Sequence, residues 1–142
     1  MKRLNIITLG VKNLIKSRSF YESLFDWKPK DEESKDIAFY NMGGWMIALY
    51  PRNLLAEDIT IPADGNGFSG ITLAHNVVKK SDVKKILDRA KSLGANIIKP
   101  AQDVFWGGYS GYFQDIDGHF WEVAYNPFTK TLEDGTLDLP KI

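Results

Sequence analysis

The feature that most constrains the fold is an internal repeat, because two stretches of the first half recur in the second half in the same order. Segment 6–10 (IITLG) matches segment 70–74 (GITLA), and segment 39–49 matches segment 112–123. A unit of about 50 residues is too small to bury both faces of a sheet. The repeat therefore predicts one domain, 1–142, in which two small units share a core, with a cleft between their curved sheets.

In the first unit, 4–50, the residue pattern predicts a strand, a helix and a hairpin. Segment 4–11 is rich in β-branched residues and predicts the strand, while Asn13 is typical of a helix N-cap. Two apolar stretches, 37–40 and 45–50, flank a glycine turn and predict the hairpin. Segment 51–67 carries several Pro and Gly residues, which predicts a linker with a single helical turn.

The second unit, 68–125, repeats this order. A strand is predicted over 68–77, and a helix begins at Ser81, keeps an i, i+3, i+4, i+7 apolar spacing and ends at Gly94. Further strands are predicted over 95–98, ended by Pro100, and over 109–114 and 119–125, followed by an extended tail, 126–142. The predicted fold class is α+β, with two tandem βαβββ units.

Composition removes several classes of function. Lys and Arg together number 18, as do Asp and Glu, so a net field that would attract nucleic acid or a membrane surface is absent. There is no cysteine, which excludes disulfides, Cys-ligated zinc, iron–sulfur centres and thiol nucleophiles. The apolar stretch 4–11 is too short for a signal peptide core or a membrane span, so we expect a cytoplasmic protein.

Two motifs resemble the vicinal oxygen chelate superfamily, which includes glyoxalase I, bleomycin-resistance proteins and extradiol dioxygenases. One is segment 7–11 followed by segment 17–22 of the first helix, and the other is the D-x-D-G-x-x-x-E stretch from Asp115 to Glu122. The resemblance covers about residues 4–127. It implies a glyoxalase-like open-barrel cleft and a homodimer, and it leaves the activity open because this scaffold hosts many chemistries.

The resemblance also implies where a divalent metal ligand would come from in each unit. The first-strand positions fall on Ile6 and on Gly70, or on Thr72 if the register shifts by two, and the last-strand positions fall on Ala48 and Glu122. Only Glu122 is a competent ligand, whereas a catalytic site needs about three protein ligands. We therefore expect no metal and no other cofactor. His75 is no substitute, because its parity turns it to the other face of the strand.

Glu122 has two interpretations. In the first, it is a solvent-facing residue, and Trp121, Val123 and Tyr125 form the buried side of the strand. In the second, which the resemblance favours, it points into the cleft between Phe120 and Ala124. A carboxylate there is a candidate general base, or it anchors a cationic or hydroxylated ligand.

Aromatic residues surround three glycines in segment 104–113. They predict either a hairpin whose rings fill the core or a flexible wall over an apolar ligand. In the second interpretation, the ligand-binding side chains are Trp106, Tyr109 and Tyr112, and Trp45 and Tyr50 supply the facing wall.

Together these features predict a protein that binds a small aromatic or polar organic molecule in an aromatic-lined cleft, without a complete metal site. The alternative is an enzyme of the same superfamily, such as a glyoxalase-like lyase or a dioxygenase relative. It would use Glu122 as a general base or as a ligand of an atypical divalent metal site.

Overall fold

The computed structural model describes residues 4–65, 67–69 and 71–140, and it divides the chain at residue 67 into two units. Both units combine helices with a sheet, which confirms the predicted α+β class. No helix in these ranges is long and apolar enough to cross a membrane.

The first unit holds a three-stranded sheet in the order β1-β3-β2, formed by β1 (Ile6–Val11), β2 (Ala38–Asn41) and β3 (Met46–Pro51). β1 runs parallel to β3 and β2 antiparallel to it. Helix α1 (Leu14–Phe25) begins after Asn13, whose side chain accepts a hydrogen bond from the Lys16 backbone amide at 3.0 Å, as predicted for an N-cap. A second helix, α2 (Arg52–Asp58), follows β3.

The core of the first unit lies on the face of the sheet that α1 covers. Alternation along the strands places seven apolar side chains besides Pro51 on this face, and six of them are buried: Leu9, Val11, Ala38, Tyr40, Ile47 and Leu49. Phe20 and Tyr21 of α1 are buried as well. The opposite face carries Ile6 and Met46, which are more exposed.

The second unit holds a four-stranded sheet in the order β4-β7-β6-β5. Its strands are β4 (Leu73–Asn76), β5 (Asn96–Asp103), β6 (Tyr109–Gln114) and β7 (Phe120–Tyr125), and β4 runs parallel to β7. Helix α3 (Ser81–Ser92) packs on one face, where Leu87 approaches Gly111 so closely that a Cβ at Gly111 would lie 2.5 Å from the Leu87 Cδ1. The predicted end of this helix at Gly94 agrees with its positive φ of 101°.

The structure differs from the predicted elements at five places. The first unit has three strands, and a single bridge between Pro29 and Tyr40 occupies the position of a fourth. The linker contains the seven-residue helix α2, and the predicted tail forms a small hairpin in which Thr131 is bridged to Leu137 and buried. β5 continues through Pro100, because an edge strand tolerates a residue without an N–H donor. β4 is shorter than predicted.

Candidate functional site

Glu122 lies on the face of the second sheet opposite α3. In the strand register its Cα partners are Tyr112 on β6 and Ala74 on β4. Residues directly opposite each other on neighbouring strands project to the same side, so Glu122 and Tyr112 lie next to each other. Phe120 and Ala124 share this face, as parity requires in both interpretations of Glu122, and the Glu122 side chain is half-buried. The orientation of Glu122 into a cleft stays a prediction.

The Tyr112 phenol faces the Glu122 carboxylate, because the two residues are Cα partners across β6 and β7. Burial first, and then the charge of Glu122 and hydrogen bonding to it, raise the pKa of Tyr112 above its ordinary value. The phenol is therefore held in its neutral, hydrogen-bond-donating form. The pair presents a carboxylate beside a phenol, which is suited to accept a hydrogen bond or a positive charge from a small molecule.

Tyr109 does not share this face, because it lies three positions before Tyr112 and strand side chains alternate. Its ring lies on the side of α3, where the Lys80 Nζ is 4.9 Å from the ring centroid. The same ammonium pairs with Asp103 at 3.0 Å. The structure thus separates Tyr109 from Glu122, although both were predicted to meet the same ligand.

Trp106 lies in the turn between β5 and β6. The turn is closed by a hydrogen bond from the Val104 amide to the Gly108 carbonyl at 3.0 Å, and by another from the Gly107 amide to the Val104 carbonyl at 2.9 Å. The half-buried Trp106 indole packs onto Gly108 and leaves no room there for a Cβ. Gly108 is therefore required by the position of this ring, and the role of Trp106 in binding stays a prediction.

Trp45 and Tyr50 lie at two different pockets of the first unit. Trp45 lines a pocket of about 570 Å³ together with Ile6, Met46 and several polar residues. Tyr50 lines a shallower one of about 410 Å³ beside α2. Their predicted common role as a wall facing the second unit stays a prediction.

The positions that the resemblance assigns to metal ligands carry few donors. Ile6 and Ala48 lie on one face of the first sheet, and neither side chain coordinates a metal. Thr72 is exposed ahead of β4, and Gly70 lies outside the described residues. Across the part of the chain that the structure describes, no three His, Cys, Asp or Glu side chains come close enough to hold a metal ion. These residues do not fit a four-ligand metal site, and we derive no metal-dependent step.

The two histidines lie elsewhere. His75 is the Cα partner of Val123 and so projects to the α3 side of the sheet, as its parity predicted, and burial lowers its pKa. His119 belongs to the turn between β6 and β7, where its backbone amide donates to the buried Asp115 carboxylate at 2.8 Å. The same carboxylate accepts from the Asp117 amide at 2.9 Å. The D-x-D-G stretch therefore forms a turn that is held by hydrogen bonds to the Asp115 carboxylate, and this turn positions β7 and Glu122.

Two lysines in the pocket beside Trp45 were missed. Lys28 and Lys30 belong to the charged stretch between α1 and β2, and both line this pocket. The signal was their spacing around Pro29, because residues two apart on an extended chain project to the same side.

Comparison with known proteins gives consistent results. The model of the Glyoxalase/Bleomycin resistance protein/Dioxygenase superfamily matches residues 3–123. A metallothiol transferase FosB from Staphylococcus haemolyticus is 29% identical over 134 residues, which cover 94% of this chain and 88% of that protein. A FosB from Shouchella clausii is 30% identical over 121 residues, covering 84% and 77%.

Among solved structures, a glyoxalase-related enzyme from Fulvimarina pelagi is similar over nearly the whole length. It covers 99% of this chain and 100% of its own, with 32% sequence identity and a TM-score of 0.89. The predicted glyoxalase-like fold is confirmed by this similarity.

Proposed function

Because the chain belongs to the Glyoxalase/Bleomycin resistance protein/Dioxygenase superfamily, we propose that it binds a small aromatic or polar organic molecule without the complete metal site of metal-dependent members. The observation that supports this most strongly is the set of side chains at the ligand positions. Of Ile6, Ala48, Thr72 and Glu122, only the last is a good ligand for a divalent metal.

The surroundings of Glu122 support a binding role. Tyr112 lies beside the carboxylate, and a carboxylate has about four lone-pair sites, so several are left for a ligand. Phe120 lies one position along the same face, with the Phe68 ring 6.3 Å away in an edge-on arrangement. A ligand with a flat ring and a hydroxyl or a protonated amine matches this combination.

Metal analysis and a ligand screen test the proposal. Protein purified without a chelating tag is analysed for its metal content, and we expect less than one tightly held divalent ion per chain. A thermal-shift screen of hydroxylated and cationic aromatic molecules then selects ligands. Glu122→Gln should abolish their stabilising effect and Tyr112→Phe should weaken it. Glu133→Gln, which removes an exposed carboxylate of the same unit, should leave it unchanged.

Two outcomes would contradict the proposal. One is a stoichiometric metal ion that is lost from Glu122→Ala. The other is a set of ligands whose binding is the same in Glu122→Gln and in Glu133→Gln.

Enzymatic activity is the second candidate, and the pairing of Glu122 with Tyr112 favours it. A carboxylate orientated by a phenol is a common arrangement for moving a proton, and relatives are named as metallothiol transferases. The test follows loss of a low-molecular-weight thiol in the presence of electrophiles and added divalent metals. Thiol loss that is faster than the blank and that Glu122→Gln abolishes would establish this activity, and thiol loss no faster than the blank would exclude it for the compounds used.

A further inference from the structure

The pocket beside Trp45 has its own chemistry, and none of its lining residues belongs to the second unit. It lies at the end of the first sheet and has a volume of about 570 Å³. Its lining residues are Asn5, Ile6, Lys28, Lys30, Asn41, Gly44, Trp45 and Met46.

Strand register explains why two lysines reach this pocket. Pro29 bridges to Tyr40, and the Lys30 amide donates to the Phe39 carbonyl at 2.8 Å, so segment 28–30 runs antiparallel beside β2. The side chains of Lys28 and Lys30 therefore project opposite to Pro29, on the face that carries Asn41. Because this face is the one that α1 leaves uncovered, both ammonium groups lie beside the open pocket.

The same strand register places the apolar side chains of Ile6 and Met46 at the base of the pocket, which we call its apolar floor. Asn41 is the Cα partner of Met46, and Met46 is the partner of Ile6 on β1. Ile6 is 43% exposed, which is unusual for an isoleucine within a strand and leaves apolar surface uncovered in the pocket. Trp45 adds a half-buried indole beside this floor.

Three polar side chains of the pocket, Lys28, Lys30 and Asn41, offer hydrogen-bond donors. The Asn41 Oδ1 accepts a hydrogen bond from the Gly43 amide at 2.8 Å, so the side-chain NH₂ is the group left to bind a ligand. Lys28 pairs with Asp26 at 2.7 Å, but both side chains are mostly exposed, so the pair is weak and the ammonium keeps other donors. Among the described residues, Lys30 forms no ion pair.

We infer that this pocket binds an aromatic carboxylate, with the ring against Trp45 and Ile6 and the carboxylate between Lys28 and Lys30. A cationic rim over an apolar floor selects a ligand that is anionic at one end and flat at the other. The inference does not depend on Glu122, and it holds for a binding protein and for an enzyme.

Two probes of nearly equal shape test it: naphthoate, which carries the carboxylate, and naphthamide, which is uncharged. Binding is measured by titration calorimetry on the full chain. Naphthoate should bind at least about fivefold more tightly than naphthamide, since a charge-assisted hydrogen bond is about twice as strong as a neutral one. Added salt should reduce this difference.

The double substitution Lys28→Gln with Lys30→Gln keeps side-chain length and removes the charges. This double variant should bind naphthoate only as tightly as naphthamide, and its affinity for naphthamide should equal that of the unsubstituted protein. The matched control, Lys16→Gln with Lys35→Gln, removes two exposed lysines of the same unit and should change neither. Trp45→Phe should weaken the binding of both probes. The same variant identifies the indole N–H resonance of Trp45 in the NMR spectrum, and naphthoate should shift this resonance in the unsubstituted protein.

Three results would overturn the inference. They are no naphthoate binding by the unsubstituted protein, equal losses in the two lysine double variants, or an unmoved Trp45 resonance at saturating naphthoate. The resonance is read in the unsubstituted protein, so this readout does not depend on how well any variant folds.

Discussion

The Tyr40 hydroxyl is buried beside an ion pair, and its removal tests how the first unit is held together. Tyr40 is 1% exposed, and its hydroxyl donates to the Glu22 Oε1 at 2.9 Å. The same oxygen accepts from the Arg18 Nε at 2.9 Å, and Arg18 also donates to the carbonyls of Glu32 and Ser34. One carboxylate oxygen therefore connects α1 to β2, and through Arg18 to the loop between them.

Tyr40→Phe removes only the hydroxyl. A hydrogen bond to a charged group contributes about 1.5–3 kcal/mol, and the partial exposure of Glu22 to water reduces the expected loss to about 1–2 kcal/mol. That loss corresponds to a fall in Tm of roughly 3–6 °C for a chain of this size. Tyr50→Phe alters a half-exposed tyrosine of the same unit and should change the free energy of unfolding by less than about 0.5 kcal/mol.

The pH dependence gives an independent readout. Burial first, and then the hydrogen bond to Glu22 and its charge, raise the pKa of Tyr40 above its ordinary value. The unfolded chain therefore loses this proton first, so the stabilisation is complete below about pH 10 and is lost as pH rises toward the higher folded-state pKa. Above about pH 10, the unsubstituted protein should lose stability more steeply than Tyr40→Phe.

Thermal unfolding followed by near-ultraviolet circular dichroism measures both effects, since the Trp27 ring lies 5.2 Å from the Tyr40 ring, at 44° to it, and reports on this region. Equal Tm values for Tyr40→Phe and Tyr50→Phe at neutral pH would contradict this role of the Tyr40 hydroxyl. A difference in Tm between Tyr40→Phe and the unsubstituted protein that does not decrease in alkaline solution would contradict it as well.

Two further predictions concern the second unit. Gly111→Ala should lower the free energy of unfolding by about 2–4 kcal/mol, because its Cβ would lie 2.5 Å from Leu87 and 2.7 Å from a backbone carbonyl. Denaturant unfolding measures this loss. The control Gly67→Ala has open space around its Cβ and should leave the free energy of unfolding nearly unchanged. Glu122→Gln should lower the pKa of Tyr112 part of the way to its ordinary value, because burial, the larger cause of the shift, remains. The pKa is measured by ultraviolet titration, with Tyr112→Phe used to identify the contribution of Tyr112. An unchanged pKa in Glu122→Gln would refute the pairing of the two residues.

Much of the fold was predictable because apolar periodicity is a local signal. The spacing of Val83, Leu87 and Ala90 predicted one face of α3, and all three are buried. The alternation along β7 likewise predicted which side chains the helix covers. Parity alone also indicates that Tyr109 and Tyr112 project to opposite faces of β6, but the prediction placed them together because both are aromatic.

Other features were not predictable because they depend on partners distant in sequence. Pro100 is a strand breaker by its local chemistry, and only the edge position of β5 makes it tolerable. Thr131 belongs to a polar segment, and its burial follows from the bridge to Leu137. The pairing of Pro29 with Tyr40 spans the whole of a charged loop, so no pattern within either segment indicates it.

The difference between the two halves of the repeat explains the lysine pocket. In the second unit, the edge position beside β6 is filled by the eight-residue strand β5. In the first, the corresponding edge of β2 meets a single bridge at Pro29, which lacks the N–H that would extend a ladder. Because pairing stops there, Lys28 and Lys30 project at a sheet edge that no full strand covers. The first unit therefore has two cations at the edge position that β5 fills in the second unit, and this is where the proposed aromatic carboxylate would bind.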